Sequence, residues 1–227
     1  TPQYWTLSAT GEKTINKVGL EGPLMEASRF LSQATLGADL ATIEQVANQG
    51  IEAWIDDQMT VPQSQTLDRL NEVFAEVIEW YLVNGGNPDE VSTRPYWTIF
   101  NYTWWENHMK NDDLLRQKVA LALSEIFVIS IESNLSDAGF GLADYYDILL
   151  KHSFGNFEDM LREISLHPCM GYYLSHLNNP REIPEENIHS DENYAREIMQ
   201  LFTIGLYELN QDGSRKTDGQ GNWIPTY

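Results

Sequence analysis

From Pro23 onward, Leu24, Ala27, Phe30, Leu31 and Ala34 recur at spacings of three and four, and Gly37 follows them. That period puts one apolar stripe on a helix that starts at the proline and stops at the glycine. The same alternation of apolar stripe and breaker predicts a helix over 39–50, opened by Asp39 and closed by Gly50, and a short one over 51–59. A longer helix is expected over 63–83, with Leu67, Leu70, Phe74, Val77, Ile78 and Tyr81 inward. The loop "NGGNPDE" (84–90) separates it from an aromatic-dense helix over 92–110.

Asp112 or Asp113 then opens a strongly apolar run ending near Ser130, read as the central buried helix. Helices over 142–154 and 156–168 follow, parted at Gly155, and "MGYYLSHL" predicts a short one. The stretch 189–210 carries the last long helix, and the Gly- and Asp-rich segment beyond Leu209 predicts a small hairpin. Residues 1–22 show no period and are expected to form an extended arm. The expected class is all-α: one helical domain over 23–227 with about nine or ten helices, an irregular N-terminal arm and a small C-terminal β-hairpin.

Composition narrows the function classes. With 34 acidic against 14 basic residues the net charge is −20, which repels phosphate backbones and argues against a nucleic-acid partner. The longest apolar run, 119–131, is interrupted by Ser124 and Glu125 and falls short of the roughly 18–20 residues of a membrane span. A lone cysteine, Cys169, allows no internal disulfide, and its apolar neighbours predict a buried, inert thiol. No GxSxG, dinucleotide fingerprint or phosphate-cradling glycine loop occurs.

Three groups of residues offer chemistry. On the 189–210 helix, Ser190 is the expected cap, with Asp191 and Glu192 in the first turn. Asn193, Arg196, Glu197 and Gln200 share one face, while Tyr194, Ile198, Leu201, Phe202 and Gly205 form the core-facing stripe. The polar face reads either as a solvated stripe or as a catalytic set. In the second reading Glu197 is the general base or metal ligand, Arg196 an anion clamp and Asn193 an orienting hydrogen bonder. Glu163 and His167 stand four apart on one helix, with His152 a helix earlier and Asp144 and Asp147 upstream, a set that would suit a divalent metal ion. Packed or capping histidines, with His167 as a cation at a helix C-terminus, are the alternative.

Aromatic residues from Trp80 to Trp105 offer stacking surfaces as well as core. Trp104 and Trp105 are adjacent and cannot both face one side, so one is expected to line a groove. These two, with Arg116 and Glu125 of the following helix, are the candidate binding residues. Arg116 and Glu125 also read as a buried structural network. The oxygen side chains of 211–222 read as turn formers rather than a Ca²⁺ loop, since the EF-hand order is missing.

Four blocks, "RFLSQATLGA" (29–38), "DLLRQKVALALSEIFVIS" (113–130), "LADYYDILLKHSFGNFEDMLREISLHPCMGYYL" (142–174) and "DENYAREIMQLFTIGLYELNQDG" (191–213), carry a resemblance. Together they resemble the bacterial domain-of-unknown-function 1800 (DUF1800) family. The resemblance implies a large, mostly helical, exported protein, secreted or periplasmic. It supplies no activity. It also implies that these residues form the N-terminal part of a longer domain, whose C-terminal part would be a partner. Two functions stay open: a binding or assembly protein with a protein or glycan partner, and a secreted hydrolase or metal-assisted enzyme using the Asn193/Arg196/Glu197 face.

Overall fold

The computed structural model describes residues 22–226 and, as backbone only, two short strands, β1 (Gln3–Leu7) and β2 (Lys13–Lys17), paired antiparallel with Gln3 opposite Lys17. The rest of the predicted N-terminal arm lies outside the described residues. The described body is all-α, with ten α-helices. No described helix is long and apolar enough to cross a membrane.

The chain forms two compact units, one from Thr1–Ser64 with His108–Val119, the other from Gln65–Asn107 with Ala120–Tyr227. In the first, α1 (Pro23–Ala34), α2 (Leu40–Gln49) and α3 (Ile51–Thr60) bury Ala27, Leu31, Val46 and Trp54. Phe30 meets Trp54 edge to face at 5.5 Å, the arrangement ring quadrupoles favour. Asp39 caps α2 through the Thr42 N–H at 2.8 Å, and Gly50, at φ +90°, turns directly from α2 into α3. Gln58 of α3 accepts the Leu115 N–H at 3.0 Å, capping the start of α6 (Leu114–Ser124).

The second unit is built around α7 (Gly139–His152), which packs against α4 (Thr66–Val83), α8 (Phe157–Leu166) and α9 (Pro168–Tyr173). Its core holds Phe127, Tyr145, Leu149, Leu150, Met160, Ile164 and Met170, with Phe202 beyond α10 (Asn193–Gln200). Asn156 opens α8 by accepting the N–H groups of Glu158 and Asp159, whose own carboxylates suit the positive end of the helix.

Several boundaries differ from the periodic reading. The aromatic helix, α5, runs Trp97–Lys110, because Pro95 disfavours helical backbone in the residue before it. The central helix α6 stops at Ser124 rather than near Ser130. Ser124 Oγ donates back to the Leu121 carbonyl at 2.7 Å, and the β-branched run Ile126, Val128, Ile129 and Ile131 that follows favours extended backbone. The last helix is closed early: Gly205, at φ +74°, donates to the Met199 carbonyl at 2.9 Å. Leu201, expected in the core, is therefore 67% exposed.

Beyond Gly205 the described residues show no strand hairpin. Isolated bridges join Tyr207 to Pro225, Leu209 to Arg215 and Thr217 to Trp223. Turns at Asp212 and Asp218 interrupt the ladder. The Arg215 guanidinium lies 4.0 Å from the Trp223 ring centre and 4.8 Å from that of Tyr207, tying the bridges together through cation–π contact.

Candidate functional site

The spacing of Phe100, Trp104 and Trp105 on α5 presents three rings to one side of the second unit. Tyr145 and Tyr146 of α7 and Phe127 beyond α6 meet them, and together the six wall a cavity of about 310 Å³. Trp104 and Trp105 contact each other at 4.9 Å and 87°, and Trp104 meets Tyr146 at 6.2 Å and 74°. Phe100 stands at 69° to Tyr146, 6.4 Å away. Rings at such angles enclose space from several directions instead of stacking it shut.

Contrary to the sequence expectation, both tryptophans line this cavity. Successive helix positions are about 100° apart, so neighbours can flank one hollow from two sides. Trp104 is half-buried, whereas Trp105 is 56% exposed. The polar lining is sparse: Asn101 and Ser124, the latter donating to its own helix. The Tyr145 hydroxyl donates to the Phe127 carbonyl at 2.7 Å, and burial pushes its pKa well above the ordinary phenol value. No charged side chain lines the cavity among the described residues.

The other two binding candidates lie elsewhere. Arg116 belongs to the first unit, where its Nη2 approaches the Val61 carbonyl at 3.4 Å. Glu125 is exposed just past the end of α6, not buried in a network.

On α10, Asn193 and Arg196 are exposed. Ser190 is not the cap: Glu192 occupies the N-cap position without a side-chain cap hydrogen bond, Asp191 accepts the Asn193 N–H at 2.8 Å, and Ser190 donates to the Pro180 carbonyl. Arg196 pairs with Glu192, the expected i,i+4 partner. Glu197 is half-buried, and its Oε2 is buried without a hydrogen-bond partner among the described residues. On the inner side, Tyr194 shares a hydrogen bond with Ser165 and lies 4.1 Å from the His176 ring, whose Nε2 is 3.0 Å from the Ser165 carbonyl.

The metal candidates divide into two pairs. His152 Nε2 lies 3.2 Å from Glu163 Oε1, near in distance but poorly aligned for a hydrogen bond, and Lys151 holds the same oxygen at 2.6 Å. The Lys151 ammonium is the main reason the Glu163 carboxyl sits below its ordinary pKa. His167 instead faces Asp144, Nε2 to Oδ2 at 3.2 Å. Its Nδ1 accepts the Cys169 N–H at 3.1 Å, so the ring is the N-cap of α9 and not a cation at the end of α8. Burial lowers its pKa, which keeps the capping nitrogen free to accept. No group of three or more His, Cys, Asp or Glu side chains among the described residues is placed to hold a metal ion.

Cys169 is buried, and desolvation pushes its thiol up to about 11, far from a thiolate at neutral pH. In the 211–222 segment, Asp212 accepts from Ser214, and Asp218 from Gln220 and Asn222. Those hydrogen bonds close turns and hold both carboxyls below their ordinary pKa.

Sequence reasoning missed the contribution of Phe127, Tyr145 and Tyr146 to the cavity. They belong to segments that no periodicity argument brings to α5. The candidate metal set of Glu163, His167, His152, Asp144 and Asp147 is not one cluster: Asp144 meets His167, while Glu163 meets His152.

The family model described as "Protein of unknown function (DUF1800)" matches the chain over residues 29–221. The chain belongs to the DUF1800 family. The match includes the aromatic helix, α7 and α10, and thus every residue of the cavity. No curated protein and no solved structure matches.

Proposed function

We propose that this DUF1800 protein is an exported bacterial binding protein, acting in the cell envelope or extracellular space, whose recognition element is the aromatic cavity of the second unit. The observation that carries this reading is the pairing of a half-exposed Trp105 with Trp104 at the edge of an uncharged, ring-walled hollow. Such hollows, with few polar groups among apolar walls, are the usual form of a ligand site. An exposed tryptophan contributes little to a core and much to a bound partner. The exposure of Asn193 and Arg196, both engaged in local pairs, supports binding over catalysis on α10. The test is a thermal-shift screen with soluble glycans, aromatic peptides and small organic ligands. A ligand that raises Tm for the wild type and not for Trp105→Ala supports the reading. Stabilisation that persists in Trp105→Ala and in Asn101→Ala places binding elsewhere and overturns it.

A hydrolytic or metal-assisted role for Asn193, Arg196 and Glu197 has one observation in its favour, the buried, unpaired Oε2 of Glu197. In that reading Glu197→Gln removes a metal signal from the purified protein. In the binding reading it leaves ligand stabilisation unchanged.

A further inference from the structure

We infer that the cavity receives a quaternary ammonium group, the trimethylammonium head of a choline-like compound. The inference rests on the binding reading of the same cavity and names what it holds. Six rings, Phe100, Trp104, Trp105, Phe127, Tyr145 and Tyr146, offer π surfaces that attract cations. Their steep mutual angles, 69–87° where they touch, place attractive surface on several sides of one small volume. At about 310 Å³ that volume lies at the small end of ligand pockets, right for a compact head group.

Charge selects among occupants. Among the described residues no lysine, arginine or histidine lines the cavity to repel a cation, and a chain of net charge −20 raises the local concentration of cations and repels anions. The lack of lining carboxylates selects further. A primary ammonium brings three N–H donors that must find acceptors once out of water, and the lining residues offer it no carboxylate, only the neutral side-chain oxygens of Asn101, Ser124, Tyr145 and Tyr146. A quaternary ammonium has no N–H, so ring faces and apolar contact satisfy it completely.

The test is isothermal titration of the full chain with choline and, separately, with its neutral carbon isostere 3,3-dimethylbutan-1-ol. Choline is expected to bind about tenfold or more tightly than the isostere, the margin a desolvated cation–π contact supplies. Trp105→Leu, at an exposed position that leaves the fold intact by circular dichroism, is expected to abolish the preference, and Trp105→Phe to restore part of it. Equal binding of choline and the isostere overturns the inference while leaving the cavity a ligand site. Failure of both to bind also overturns it, and the ligand screen above then decides the binding reading on its own. Choline binding that survives Trp104→Leu and Trp105→Leu together overturns it as well.

Discussion

The carboxylate of Asp147, on α7, accepts the backbone N–H of Thr66 at 2.7 Å. Its second oxygen accepts that of Leu67 at 2.9 Å. The first turn of α4 is thus capped by a residue 81 positions away in the chain. Two of the orphan N–H groups that every helix start leaves open are satisfied by one half-buried acid, which also pins α4 to α7.

Asp147→Ala is expected to destabilise the protein by about 1–2 kcal/mol, the upper part of the range for a lost cap, because the freed N–H groups are partly buried. The pH dependence has a distinctive sign. Burial, outweighing the two N–H bonds, holds the Asp147 carboxyl above its ordinary value of 3.8. Between 3.8 and that raised value the folded state binds the proton that the unfolded chain has released. Stability relative to Asp147→Asn therefore falls as pH rises through this window, opposite to a salt-bridged acid. Urea unfolding of the two proteins across the window measures it; a difference that grows with pH contradicts the assignment.

His167 has the complementary behaviour. Its pKa is lowered, chiefly by burial, so below 6.5 the unfolded chain takes up a proton that the folded state resists. The contribution is complete above 6.5 and declines as pH falls toward the depressed folded value. His167→Asn keeps an acceptor for the Cys169 N–H and is expected to flatten this part of the pH–stability curve. His167→Ala removes the cap at a cost of about 1 kcal/mol. Midpoints of urea unfolding above and below 6.5 separate the three proteins.

How much of this was legible beforehand follows the range over which each interaction acts. The limits of α2 and α3 come from local events, a cap at Asp39 and a positive φ at Gly50, and residue type records both. The end of α6 at Ser124 does not show in hydrophobic period, since Ile126, Val128 and Ile129 continue the apolar run after the backbone has left the helix. The Arg196–Glu192 pair lies within one turn and is visible in the sequence, whereas Asp147 to Thr66, or His167 to Asp144, depends on helix packing. The cavity follows the same rule: its α5 wall is written in "WTIFNYTWW", and the wall contributed by Phe127, Tyr145 and Tyr146 exists only after folding.

Arg69 makes three carboxylate contacts of unequal worth. It meets Glu106 through two nitrogens, at 2.8 and 3.3 Å, with Glu106 only 6% exposed; Glu72 and Glu76 are about two-thirds exposed. Removing Arg69 leaves a buried carboxylate, so Arg69→Ala is expected to cost about 3 kcal/mol. Glu72→Ala and Glu76→Ala are each expected to cost roughly 0.2–1 kcal/mol, the range of solvated pairs. A double-mutant cycle between Arg69 and Glu106 should give a coupling larger than either exposed pair; comparable couplings for all three would refute this ranking.

Gly141 lies inside α7, where alanine normally stabilises a helix by about 1 kcal/mol. Here a Cβ would stand 2.7 Å from Cys169 Sγ, closer than atoms of this size can approach. Cys169 is 4% exposed and carried on α9, so the sulfur cannot move aside without opening the core. Gly141→Ala is therefore expected to destabilise by about 1–3 kcal/mol, the cost of overpacking. Cys169→Ala alone loses a small apolar contact. Combined with Gly141→Ala, it frees the space the new methyl needs, and the double variant is expected to be more stable than Gly141→Ala alone. Unfolding free energies of the four proteins close the cycle. Simple additivity would mean that the glycine is required for helix backbone rather than for the thiol packed against it.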